Sequence, residues 1–433
     1  MLPLHGIGGR GDLPVPLWLA IYSAAAAVAV SFFALAAFWS RPRFETAGGH
    51  PLAGLTRIVD ARATRWLLKA GGIAALALVL GAAWFGSDEP SRNPAPTWLY
   101  VWIWVGIIPL SLLCGPIWRL ANPLRTIAGL VRRTSYRKLP ERFAYWPAVG
   151  GLLVFLWLEL VYPDASEPRI VALFVTSYAV VNVAAGIVFG PAWFSAGDSF
   201  EVYAEVLARL SPIGRGTNRL ELRNPLAGLA AMPQHRGIVG LLCLLLGSTA
   251  FDGISRWSAW TSWAGELSRP QHLVVYSIGL FVAVAIVTCL FLLAAQTTGS
   301  AEVRPGAVGA AGLPGAFVHS LVPIAIGYAV AHYFSFAMFQ GQEGVLLATD
   351  PFGRGWDLLG TGTTRIDYAF LSTSFIAGVQ IGAIVLGHVL GVVSAHDRAA
   401  ELFRRRQLRR AQYPMLAAMV AFTAGGIALV TAS

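Results

Sequence analysis

The chain has 433 residues, 56% of them hydrophobic and 12% charged, against about a quarter charged in soluble domains. That balance excludes an ordinary soluble enzyme and makes a helical membrane protein the default. A net charge of +10 could suit nucleic acid, but the basic residues sit in short runs between apolar segments, as in cytoplasmic loops, so no nucleic-acid partner is expected.

A transmembrane helix needs roughly 20 mainly apolar residues. Ten segments qualify: 15–39, 66–86, 97–119, 145–163, 168–190, 237–257, 271–296, 316–341, 368–394 and 413–432. The second contains Lys69 and the sixth ends in a polar run. The expected fold is therefore all-α, a polytopic bundle of about ten transmembrane helices forming a single domain over 1–433. No remaining stretch is large enough for a soluble domain.

A signal peptide carries its positive charge before the apolar core. Here Arg41 and Arg43 follow the first span and only Arg10 precedes it, so the amino terminus is expected outside. With that orientation the inner segments hold 25 of the 32 basic residues, in agreement with the positive-inside rule. Ten spans then place both termini outside.

Aromatic residues such as Trp98, Tyr100, Trp102, Trp146, Trp257 and Trp263 cluster at span ends, as an interfacial belt would. The third and fifth spans both leave through Gly-Pro-x-Trp, at Gly115–Trp118 and Gly190–Trp193. Proline ends the helix and tryptophan marks the interface, which reads as a reused exit device. After the fifth span comes the largest inner loop, 198–236. From Asp198 its sequence reads as an amphipathic helix on the inner surface, with Phe200, Tyr203, Val206, Leu207 and Leu210 on one side. The largest outer loop, 342–367, holds aspartates, aromatics and glycines from Asp350 onward and reads as an ordered lid or site wall.

Ionisable residues inside spans are costly and usually face the bundle interior. Three fall about 14 to 16 residues from the inner ends of their spans: Glu159, Asp252 and His332. At ~1.5 Å per residue they share a level in the outer third of a ~30 Å core. Tyr328 and Ser335 lie on the His332 face of the eighth span. Glu159, Asp252, His332 and Tyr328 form the first candidate site. Such a set could bind a divalent metal, run acid–base chemistry or relay protons. The alternative is that each carboxylate merely pairs with Arg256 or Arg169. Nearer the inner face lie His319 and His388, with Cys114, Cys243 and Cys289 at similar depth. Imidazole and thiolate suit zinc or copper, although free cysteine also packs as a small hydrophobe. His319 and His332 lie about 140° apart round the helix, so they share a site only if Pro323 bends it. His396 and Asp397, beside a basic run, read as solvated at the inner interface. His5 and Asp12 belong to a glycine-rich arm that reads as a mobile terminus.

Several motifs together carry a resemblance: HisGlyIleGlyGlyArg near the start, GlyAspSerPheGluValTyr at 197–203, HisSerLeuValProIleAlaIleGlyTyr at 319–328 with AlaHisTyrPheSer at 331–335, and AspProPheGlyArgGlyTrpAspLeu at 350–358. The whole chain resembles a bacterial, mainly actinobacterial, family of multi-pass membrane proteins often labelled fenitrothion hydrolase. The resemblance implies hydrolysis of an organophosphorus ester and carries over no catalytic residues. The His-x-His pair of soluble metal-dependent phosphotriesterases does not occur in this chain.

Two functional classes follow. In one, a zinc or copper ion held by His332 and Asp252, with Glu159 a further ligand or a base, activates water against a phosphotriester, with 342–367 covering the site. In the other, the same residues line a path for a proton, metal ion or small solute, with Pro323 marking a broken helix. A third option is a scaffold subunit of a larger membrane complex. In every case the setting is the cell membrane, and the expected partners are the bilayer and a small molecule.

Overall fold

The computed structural model describes residues 17–44, 48–131, 135–298, 308, 312–404 and 407–431. His5 and Asp12 lie outside these. The chain is an all-α bundle, and nine helices among the described residues are long and apolar enough to cross a membrane. In chain order the elements used below are α1 Leu17–Phe38, β1 His50–Pro51, α2 Ala53–Asp60, α3 Arg62–Phe85, α4 Ala95–Cys114, α5 Pro123–Leu130, α6 Trp146–Leu160, α7 Pro168–Phe189 and α8 Ser199–Ala208. They continue with β2 Ile213–Arg215, β3 Leu220–Leu222, α9 Pro225–Ala230, α10 Ile238–Ser255, α11 Ser258–Ala264, α12 Arg269–Thr298, α13 Gly312–Leu347, α14 Thr373–Leu402 and α15 Leu408–Thr431. Each expected span has its helix. The fourth, α6, has only 15 residues and is the one not long enough to count among the nine.

The two ends of the bundle differ. At one, β1, β3 and β2 form a small antiparallel sheet. At the other lie α11 and the loop 348–372. We call these the sheet end and the loop end. The sheet was not legible in the sequence because its strands have only two or three residues each.

The Gly-Pro-x-Trp exits share one backbone geometry. Gly115 has φ 69° and ψ −151°, Gly190 has φ 67° and ψ −155°. A side chain disfavours that region, and a Cβ would also strike the Ile213 carbonyl at Gly115 or the Tyr136 ring at Gly190. Here the exit device is used twice, as the sequence indicated.

α13 and α14 make the most extensive helix pairing in the chain. Small residues permit it: a Cβ on Gly387 would meet the Pro323 carbonyl, and one on Gly327 the Ala383 carbonyl. Pro323 follows a 3₁₀ turn at Val318–Ser320, where the helix tightens before continuing to Leu347. α13 thus runs beyond the expected end at 341, and α14 continues to Leu402, beyond the expected 394. The intervening loop is correspondingly shifted from 342–367 to 348–372.

The helix from Asp198 does not lie on a surface. Along α8, Phe200, Glu201, Val202, Tyr203, Ala204, Val206, Leu207 and Ala208 are all buried. Its charges are satisfied from within: Asp198 caps the helix and accepts from Asn122 Nδ2 at 2.8 Å and Tyr178 Oη at 2.5 Å. Glu201 accepts from the same Asn122 amide at 2.8 Å and pairs closely with Arg125 of α5. Paired carboxylates of this kind can be buried where a lone one could not. The helix brings Tyr203 into the core beside Trp104, with ring centroids 4.7 Å apart.

The aromatic belt is divided. Trp102, Trp146, Trp257 and Trp263 are exposed, whereas Trp98 and Tyr100 are buried. Trp98 Nε1 donates to the Gly344 carbonyl at 3.0 Å and Tyr100 Oη to Ala165 at 2.9 Å, so both tie helices together.

Candidate functional site

Three helices bring the candidate residues toward the loop end. Glu159 and Asp252 lie in the last turns of α6 and α10, and His332 lies in mid-α13. All three are buried. Asp252 and His332 touch: Nε2 of the imidazole is in a short hydrogen bond with Oδ2 of the carboxylate. Arg256, one turn after Asp252, completes the cluster. Its Nη2 donates to both carboxylate oxygens at 2.9 Å and its Nε to Oδ1 at 3.2 Å. The same Nη2 lies 3.1 Å from His332 Nε2. The pairing with Arg256 that the spacing allowed is therefore present, and it includes the histidine. Arg169 is elsewhere, bound to Asp88 at 3.0 Å.

One nitrogen faces two opposite demands. A guanidinium only donates, and an ionised carboxylate only accepts. Protonated, His332 Nε2 donates to Asp252. Deprotonated, it accepts from Arg256. In either role Nε2 has a partner within hydrogen-bond distance.

Glu159 differs. Among the described residues neither of its buried oxygens has a hydrogen-bond partner, although it lies within electrostatic reach of Asp252 and Arg256. Tyr100, Tyr203 and Tyr333 are also within that reach. An ionised carboxylate buried without donors is strongly disfavoured. Glu159 lines a cavity of about 40 Å³, enough for a water molecule, between α4, the end of α6 and α13. Tyr100, Gln340 and Glu343 share the lining.

Two of these neighbours escaped the sequence reading. Glu343 lies beyond the expected span end at 341. In α13, Phe336, Gln340 and Glu343 continue the His332 face at helical spacing, and all three line the cavity. Tyr100 reaches it from a π-helical stretch at Trp98–Val105, in which the Gly106 amide bonds Val101 at 3.0 Å. Such wide turns frequently mark functional sites, and nothing in an apolar run of aromatics announces one.

The remaining candidates lie apart from this cluster. The Tyr328 ring packs toward Gly426 of α15. His388 is buried and bonds the Ile384 carbonyl at 2.8 Å through Nδ1, and its Nε2 has no hydrogen-bond partner among the described residues. His319 is buried with Nε2 3.4 Å from the Ser394 carbonyl, and lines a second cavity of about 260 Å³ at the sheet end with Asp397, Arg398 and Glu401. His396 and Asp397, expected to be solvated, are buried. His396 contacts the Trp39 carbonyl at 2.8 Å and Gln412 at 3.0 Å, while Asp397 accepts from Trp39 Nε1 at 3.0 Å and the Arg43 amide at 2.7 Å. The segment after α1 folds back and covers them. Cys243 is buried, and Cys114 and Cys289 are exposed. Among the described residues no group of three or more His, Cys, Asp or Glu side chains is arranged to hold a metal ion.

No protein-family model, curated protein or solved structure matches the chain.

Proposed function

We propose that the chain is a proton-handling carrier of the cell membrane, in which Glu159 and the Asp252–His332–Arg256 cluster form the proton-binding site. It spans the bilayer ten times, α6 included, with both termini and the loop end outside. The observation that carries this reading is Glu159: a buried carboxylate with no donor, lining a small cavity near a histidine whose Nε2 faces both a donor and an acceptor. Glu159, protonated at rest, passes its proton through water in the cavity toward His332 and is reprotonated from the loop end. The second cavity at His319 and the unpartnered Nε2 of His388 supply the corresponding stations toward the sheet end. Buried ionisable residues of this kind mark proton and ion routes in membrane bundles.

Ester hydrolysis, which the family resemblance implies, would need a metal at the same place. The donor set does not fit one. Both Asp252 oxygens and His332 Nε2 face the Arg256 guanidinium, so a divalent cation would sit against a fixed positive charge.

The test is reconstitution of the full chain in liposomes loaded with a pH-sensitive dye. An imposed pH gradient should dissipate faster than in empty vesicles, and Glu159→Gln should remove most of the difference. Equal rates for Glu159→Gln and wild type would refute the assignment. Release of a nitrophenol from a phosphotriester by the same preparation, abolished by His332→Ala, would favour the hydrolase instead.

A further inference from the structure

The sheet end holds a larger cavity that the proton site does not use. It has a volume of about 680 Å³ and lies between α2, the start of α3, the ends of α4 and α8, and the β2–β3 hairpin. Five arginines line it: Arg65, Arg119, Arg209, Arg215 and Arg223. Their charge is only partly answered. Asp60 takes Arg65 at 2.8 Å and Arg215 at 2.7 Å, and Glu205 takes Arg119 at 3.4 Å. Arg223 donates to the backbone carbonyls of Ala208, Arg209 and Ser211 at 3.0 to 3.3 Å, and Arg209 pairs with neither carboxylate. Among the described residues, five guanidinium groups against two carboxylates leave three positive charges around one cavity.

The other walls are apolar. Leu55 and Val59 present one face of α2, and Ile117 and Leu120 follow the Gly115 exit. In the chain the cavity is bracketed by exposed apolar residues. Trp66 and Leu67 follow Arg65, Leu113 precedes Cys114, and Ile58 lies beside Val59; they are exposed by 66%, 73%, 70% and 63%. A free inorganic anion would use the guanidinium groups and nothing else. A molecule with an anionic head and hydrocarbon chains uses both surfaces.

From this arrangement we infer that the cavity is a binding site for an anionic phospholipid. The phosphate lies among Arg119, Arg209 and Arg223, and the chains leave over Leu113, Trp66 and Leu67. Basic pockets between helices at the membrane surface suit such headgroups, each basic residue adding to the attraction. Three uncompensated charges correspond to a preference of about 100-fold for an anionic over a zwitterionic headgroup.

Cys114 lines the cavity and is exposed, while Cys289, also exposed, lies away from it on α12. The experiment is maleimide alkylation of the purified full chain in mild detergent, with native mass spectrometry counting bound lipid. Phosphatidylglycerol should slow labelling of Cys114 about tenfold or more, leave Cys289 unchanged, and remain bound in the gas phase. Phosphatidylcholine and inorganic phosphate should do neither. Arg119→Gln combined with Arg209→Gln should remove most of the protection, and Lys at both positions should keep it. Equal protection by phosphatidylcholine would overturn the proposal. So would protection by inorganic phosphate alone, which would make this a free-phosphate site. The wild-type comparison decides the matter even if the glutamine variant does not fold.

Discussion

Removing Arg256 should cost more than removing its partner's charge. The Asp252 side chain is 4% exposed and that of Arg256 24%. Arg256→Met takes away three hydrogen bonds of 2.9 to 3.2 Å and leaves a buried carboxylate beside His332 without its cation. Stranding a buried charge in this way costs about 3–5 kcal/mol. Asp252→Asn keeps the shape of the acceptor, and Arg256 has a quarter of its surface free to reach water, so we expect about 2 kcal/mol. The double variant strands neither charge. Its loss should fall short of the sum of the single losses by about 2 kcal/mol or more, within the range seen for residues in one network. The assay is the unfolding midpoint in mild detergent, followed by the fluorescence of the chain's 15 tryptophans. Additive losses, or an Arg256→Met midpoint within about 0.5 kcal/mol of wild type, would show that the cluster is not energetically coupled.

Three further outcomes are expected. The Arg215 and Arg65 guanidinium groups hold the Asp60 carboxyl down at about 2, against an ordinary value of 3.8. Its native form thus binds the proton less readily than its unfolded form, so the stability it contributes is present above pH 4 and lost as pH falls from about 4 to about 2. For so accessible a pair that is about 0.2–1 kcal/mol. Hydrogen-exchange protection at 50–60 and 213–222, taken relative to the intrinsic rate at each pH, should fall over that interval, and unchanged protection would contradict the pairing. Gly387→Val would drive a side chain into the Pro323 carbonyl and should lower stability by about 1–3 kcal/mol, whereas Gly378→Val, with open space around it, should leave the unfolding midpoint within about 0.5 kcal/mol of wild type. A periplasm-active reporter fused at either terminus should be active and one in the 216–219 turn silent; the reverse pattern would overturn the proposed orientation.

Much of the bundle could be read from apolar length alone, because lipid forces continuous helices on any segment that crosses it. The Asp252–Arg256 spacing also announced its contact, four residues being one helical turn. What escaped were features whose cause lies on a distant segment. The charges of α8 suggested a surface helix, yet Asn122 and Arg125, more than 70 residues earlier, satisfy them. His396 and Asp397 looked solvated beside a basic run, and Trp39 with Arg43, over 350 residues away, buries them. Glu343 was lost for a simpler reason. Hydropathy falls before the helix of α13 ends, so a carboxylate on its last turns reads as a loop residue.

The most direct measurement is pH-difference infrared spectroscopy of the reconstituted protein. If Glu159 holds the proton of the loop-end cavity, alkalinisation should bleach a protonated-carboxyl C=O band that Glu159→Gln abolishes and Asp252→Asn leaves in place. An identical difference spectrum from wild type and Glu159→Gln would contradict the account.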